Sequence, residues 1–160
     1  MIHSAINEQL IKQILTSAKT VAMVGVSLIK KDEPSNNIRR RPSIIVMKYL
    51  QEFGYRVIPI NPSSAGKIAY GETIVAKLKD VNIPVDIVNV FRPSKETPMI
   101  AEQAVKIGAK VIWLQYGIQN QEAQEIAKSA NITYIANKCI KQEYQRLFLK
   151  VSPVFPALRT

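Results

Sequence analysis

The 160-residue chain has one cysteine, one tryptophan and one histidine, and its 12 acidic residues are outnumbered by 22 basic ones. Each scarcity excludes something. With Cys139 alone no internal disulfide can form, which suits a reducing compartment and a cytoplasmic protein. No uninterrupted apolar run approaches the length that spans a membrane. Aromatic residues are few, and none interleaves with the densest basic segment, as single-strand nucleic-acid binding usually requires. Neither a metal site nor a general acid–base pair among Asp86, Glu96 and Glu122 can be read from the chain. What is present, 47% hydrophobic and 21% charged residues, is the composition of a soluble globular protein. The length suits a single domain, residues 1–160, with a sizeable core.

The stretch Thr20 to Ser27 organises the rest. Val21 to Val26 is a short run of small and β-branched residues, which fits a strand covered on both faces, as in a parallel sheet. Gly25 ends the run, where it permits a sharp turn and the close approach of a ligand. Ser27 opens a polar, basic segment reaching Arg41, and a helix then begins at Pro42-Ser43-Ile44. Strand, glycine turn and helix N-terminus form the arrangement that binds phosphates in doubly wound folds.

Before this strand, Met1 to Lys19 reads as an amphipathic helix rather than a signal peptide, with Ile6, Leu10, Ile11, Ile14 and Leu15 at helical spacing. The helix from Pro42 carries Val46, Met47, Tyr49, Leu50 and Phe53 as an apolar stripe and stops at Gly54. Tyr55 to Ile60 is a second strand, closed by Asn61-Pro62 and a loop of Ser and Gly. Ile68 to Leu78 reads as a short helix or an irregular segment. Val85 to Phe91 is a third strand ended by Arg92-Pro93, and Ser94 or Thr97 caps a helix with Ile100, Ala104 and Ile107 inward. Lys110 to Gln115 is a fourth strand turning at Gly117. Asn120 caps the next helix, which ends at Asn131. Ile132 to Ala136 is a fifth strand, and Ile140 to Leu149 a last helix before the tail 151–160.

Strands alternating with helices at this spacing predict right-handed βαβ units, a Rossmann-like, doubly wound α/β fold with a mostly parallel sheet of about five strands. Such a sheet binds its ligand at the C-terminal strand ends, near a switch in strand order. Gly25 to Ser27, Asn61-Pro62, Phe91-Arg92, Gln115 to Gly117 and Asn137 to Cys139 fall there. Net charge is +10. Lys30, Lys31 and Arg39 to Arg41 concentrate it in one segment, and Lys138, Lys141, Arg146 and Lys150 form a second group. Such an excess fits a nucleic-acid surface, an anionic membrane face, a pocket for a polyanionic small molecule, or a merely solvated face.

Five pieces in register resemble one known family, the small stand-alone CoA-binding proteins, whose domain is similar to the CoA-binding domain of succinyl-CoA synthetase. They are Val24-Gly25-Val26-Ser27, Arg41-Pro42-Ser43, Gly54 to Pro62, Val85 to Arg92 and Val111 to Gly117, and the likeness spans Lys19 to Phe148. It implies a Rossmann-like fold with coenzyme A, or an acyl-CoA, as ligand and no established reaction. It implies Gly25, Val26 and Ser27 under the phosphates, with Arg41, Pro42 and Ser43 beside them at the helix start. Asn61, Pro62, Phe91 and Arg92 would line the nucleotide and pantetheine path, and Gln115 and Gly117 would close the far side. Because the segment from Ser27 to Arg41 is longer and more basic than the family pattern, which of Arg39, Arg40 and Arg41 meets a phosphate stays open.

The resulting expectation is a CoA binder without catalysis, in a sensing, carrier or regulatory role. One alternative is a nucleic-acid-binding protein using the basic loop 30–41, with affinity that falls steeply with salt. A nicotinamide dinucleotide fits less well, since the turn has one Gly and Asn61-Pro62 stands where an acid should meet the ribose. A phosphohistidine ligase lacks its histidine, because His3 lies in the N-terminal helix. Cys139 is either a small buried hydrophobe or a thiol able to act as a nucleophile or form a mixed disulfide with CoA. Trp113 belongs to the core, and Asp86 and Asn89 are held by hydrogen bonds at a sheet edge or by a neighbouring helix. A homo-oligomer could form through the N-terminal helix and Val154, Phe155 and Leu158.

Overall fold

The structure is a computed structural model that describes residues 2–27 and 42–150, with side chains from Glu8 onward. Lys30, Lys31, Arg39 to Arg41, Val154, Phe155 and Leu158, named above, lie outside the described residues, as does the His3 side chain. In chain order come α1 (Ile2–Ser17), β1 (Thr20–Val24), α2 (Pro42–Glu52) and β2 (Arg56–Ile60). The short strands β3 (Ile68–Ala69) and β4 (Glu72–Thr73) follow, then β5 (Ile87–Val90), α3 (Thr97–Lys106), β6 (Val111–Leu114), α4 (Gln121–Ser129) and β7 (Thr133–Ile135). The last helix, α5 (Ile140–Tyr144), continues into a π-helical stretch, Gln145–Leu149.

Five strands form an all-parallel sheet in the order β2-β1-β5-β6-β7. The alternation of side chains across each strand explains the two layers of helices. Val21, Met23, Ile87, Val111 and Trp113 point to one face, where they pack with Ile11 and Leu15 of α1, Met47 and Leu50 of α2, and Ile140 of α5. Ala22, Val88, Val90, Ile112 and Leu114 point to the other, against Ile100 and Ala104 of α3 and Ala123 and Ala127 of α4. Apolar side chains on both faces are what a doubly wound sheet needs. The fold is Rossmann-like. Among the described residues no helix is long and apolar enough to cross a membrane.

Several expectations are corrected in detail. Ile68 to Leu78 holds no α-helix and is irregular only in part: β3 and β4 pair antiparallel across Tyr70-Gly71, both at positive φ, while Ile74 to Lys77 is irregular apart from a bridge between Val75 and Ile60. A two-residue turn with both residues at positive φ matches the twist of a hairpin, and a tyrosine there gives no warning in the sequence. Neither Ser94 nor Thr97 caps α3 through its side chain; Thr97 is the first helical residue, and its hydroxyl donates to the Ser94 carbonyl at 2.7 Å. Asn89 sits on the central strand β5, not at a sheet edge, and its amide donates to the Trp113 carbonyl on neighbouring β6. Asp86 precedes that strand and accepts from the backbone N–H groups of Lys19 (2.8 Å) and Thr20 (3.0 Å). Leu10 and Phe53, each read as part of an apolar face, stay more than a third exposed, at 38% and 39%. Trp113 is fully buried, with its indole N–H donating to the Lys138 carbonyl at 2.9 Å.

Candidate functional site

The first connection leaves β1 for β2 on one side, and the chain then crosses to β5 on the other. The switch in strand order therefore falls between β1 and β5. At such a point two strand ends diverge and leave a crevice. The sequence fills it with Gly25 after β1, and with Phe91-Arg92 after β5. Gly25 stands at φ +99°, and a Cβ built on it would lie 2.9 Å from Arg92 Cδ and 3.0 Å from the Phe91 carbonyl oxygen. Only glycine lets the two strand ends come this close.

The turn is tied down by groups distant in sequence. Gly25 N–H donates to the Ile60 carbonyl at 2.9 Å, and Ser27 N–H to Ser43 Oγ at 3.2 Å. Asn61 donates from Nδ2 to the Val26 carbonyl at 2.7 Å, while its Oδ1 accepts from Ser63 N–H and caps the short turn Pro62–Ser64. The three amides expected under the phosphates are thus unequal: two are spent within the protein. The third, that of the fully buried Val26, has no hydrogen-bond partner among the described residues.

A cleft of about 470 Å³ opens beside this turn. It brings together Gly25, Asn61, Pro62 and Arg92 of the expected residues, over an apolar floor that includes Val24, Ile60, Leu78 and Ile100. Four polar lining residues were not anticipated: Ser63, Lys77, Glu96 and Gln103. Glu96 carried a legible signal, standing one helical turn after Arg92; the others come together only through the fold. Arg92 grips Glu96 bidentately, Nε to Oε1 at 3.0 Å and Nη2 to Oε2 at 2.8 Å. Those hydrogen bonds hold the Glu96 carboxyl below the usual carboxylate range and raise the guanidinium in turn.

A second cleft, of about 480 Å³, lies at the same end of the sheet and is lined by Pro42, Ile45, Val46, Gln115, Tyr116, Cys139, Lys141 and Gln142. Gln115 Oε1 is buried and has no partner among the described residues. Cys139 is partly buried against the core as well as facing this cleft. Gly117, at φ +87°, donates its N–H to Asn137 Oδ1 and lines neither cleft. Phe91 is half-buried and gives its N–H to the Val24 carbonyl, so its backbone forms part of the junction rather than of the lining. Arg41 lies outside the described residues. Among those described, no group of three His, Cys, Asp or Glu is placed to hold a metal.

An apolar floor, two cations and an orphaned amide oxygen are what a ligand with a phosphate end and an amide-bearing arm would use. The profile of a family described as "CoA binding domain" matches residues 19–145. Over 131 residues the chain is 40% identical to the uncharacterised protein YneT of Bacillus subtilis (strain 168), covering 82% of this chain and 89% of that one. A solved Thermus thermophilus protein is 37% identical, with a TM-score of 0.78, covering 88% of this chain and 98% of its own. The apo dinucleotide-forming acetyl-coenzyme A synthetase 1 of Ca. Korarchaeum cryptofilum shares the fold alone. It is 23% identical with a TM-score of 0.56, covering 74% of this chain and 26% of that one.

Proposed function

The chain belongs to the CoA binding domain family, and on that premise we propose that it binds coenzyme A or an acyl-CoA at the C-terminal strand ends. Binding would serve a sensing, carrier or regulatory role, with no reaction carried by the chain's own residues. The observation that carries the location is the cleft of about 470 Å³ that opens beside the Gly25 turn, where the strand order switches between β1 and β5. The diphosphate would lie over Gly25, Val26 and Ser27, taking the Val26 N–H and the start of α2 at Pro42 and Ser43, with Arg41 alongside. Asn61, Pro62, Phe91 and Arg92 bound the nucleotide path. The pantetheine arm would run toward Gln115 and Gly117, and one of its amide N–H groups would satisfy Gln115 Oε1. The chain would act as a single CoA-binding domain in the cytoplasm.

Calorimetric titration with CoA, 3′-dephospho-CoA and NAD tests the reading. Saturable CoA binding, weaker without the 3′-phosphate and weaker still for NAD, is the expected result. No heat from CoA at millimolar concentration would overturn it and favour the basic surface as a nucleic-acid site.

A further inference from the structure

We propose that Lys77 is the cation that meets the ligand's phosphates in the first cleft, while Arg92 forms a wall fixed by Glu96; this rests on the CoA reading above. The cleft contains three charged side chains, Lys77, Arg92 and Glu96. Arg92 already spends Nε and Nη2 on the Glu96 carboxylate, and its Cδ lies against the Gly25 turn. A phosphate approaching this guanidinium meets an anion alongside the cation, so the pair offers hydrogen bonds from the remaining N–H groups but little net attraction.

Lys77 differs in both respects. It makes no ion pair with any described residue, so its charge is uncompensated within the cleft. Its backbone is extended and leads into the short turn Leu78–Asp80, which the buried Leu78 anchors to the core. Lys77 is thus held at the cleft by its buried neighbour, and it is an exposed residue among lining that includes the apolar Val24, Ile60, Leu78 and Ile100. A compact, mobile point charge beside a turn that offers the Val26 N–H suits a phosphate that also needs partners on its other side.

The experiment is calorimetric titration of CoA into wild type, Lys77→Met and Lys77→Arg, each at low and high salt. Lys77→Met should weaken CoA binding about tenfold at low salt and lower the salt dependence by about one charge contact's share, as removal of one charge-assisted contact requires. Lys77→Arg should bind within about threefold of wild type, which separates lost charge from lost shape. Wild-type affinity and salt dependence in Lys77→Met would overturn the assignment and leave the CoA reading standing. Failure of the wild-type protein to bind CoA would remove both.

Discussion

Replacing Gly25 with alanine puts a methyl group 2.9 Å from Arg92 Cδ and 3.0 Å from the Phe91 carbonyl oxygen, on a backbone held at φ +99°. Two costs follow. The backbone conformation is one that L residues rarely adopt, at about 1–2 kcal/mol. Arg92 can yield, because Cδ belongs to a flexible chain, but Phe91 O is part of the backbone, tied to β1 through Phe91 N–H and the Val24 carbonyl. Relieving that contact means parting the ends of β1 and β5, an overpacking cost of about 1–2 kcal/mol. Gly25→Ala should therefore lose about 3 kcal/mol. Gly117→Ala supplies the control, since Gly117 has a similar φ of +87° with nothing within 4 Å of its Cβ position. It should lose only the conformational part, about 1–2 kcal/mol. Urea unfolding of both variants measures the difference. Equal losses would refute the close approach, and a Gly25→Ala protein as stable as wild type would refute the strain as well.

Asn61→Ala strips the Val26 carbonyl of its donor and the Pro62–Ser64 turn of its cap, and should cost about 2 kcal/mol in urea unfolding; a loss under about 0.5 kcal/mol would count against its tying role. Asp86→Asn should cost about 2 kcal/mol at neutral pH, where the carboxylate accepts two backbone N–H bonds and pairs with Lys110. Burial pushes the Asp86 carboxyl up, but those bonds and the Lys110 charge outweigh it and hold the group below the usual carboxylate range. Its contribution is then present above the ordinary aspartate pKa of about 4 and lost as pH falls through the lower folded value. The gap between wild type and Asp86→Asn should accordingly close in acid; a gap independent of pH would contradict the assignment.

What was legible in the sequence was local. The strand at Val21, the Asn120 cap and the left-handed Asn131 depend on neighbours within a few residues, and all three appear in the fold, the strand ending at Val24 rather than Val26. The order of strand ends also follows from alternation alone, so Gly25, Asn61 and Arg92 could be brought to one end before their geometry was known. The rest was non-local. That Ser43 takes the Ser27 N–H, or that Asn61 takes the Val26 carbonyl, depends on how α2 and β2 return to β1. The ribbon at Tyr70-Gly71 was missed because a tyrosine at φ 47° is dictated by its surroundings rather than its own preference. Lys77 follows that ribbon, so its place in the cleft could not be seen until the ribbon was.

Amide chemical-shift mapping of CoA onto the nitrogen-labelled protein tests the central claim most directly. The account predicts saturable shifts at Gly25, Val26, Ser63, Lys77 and Arg92, with Gln115 following as the pantetheine arm settles. Shifts confined to β7 and α4, or none at millimolar CoA, would contradict it.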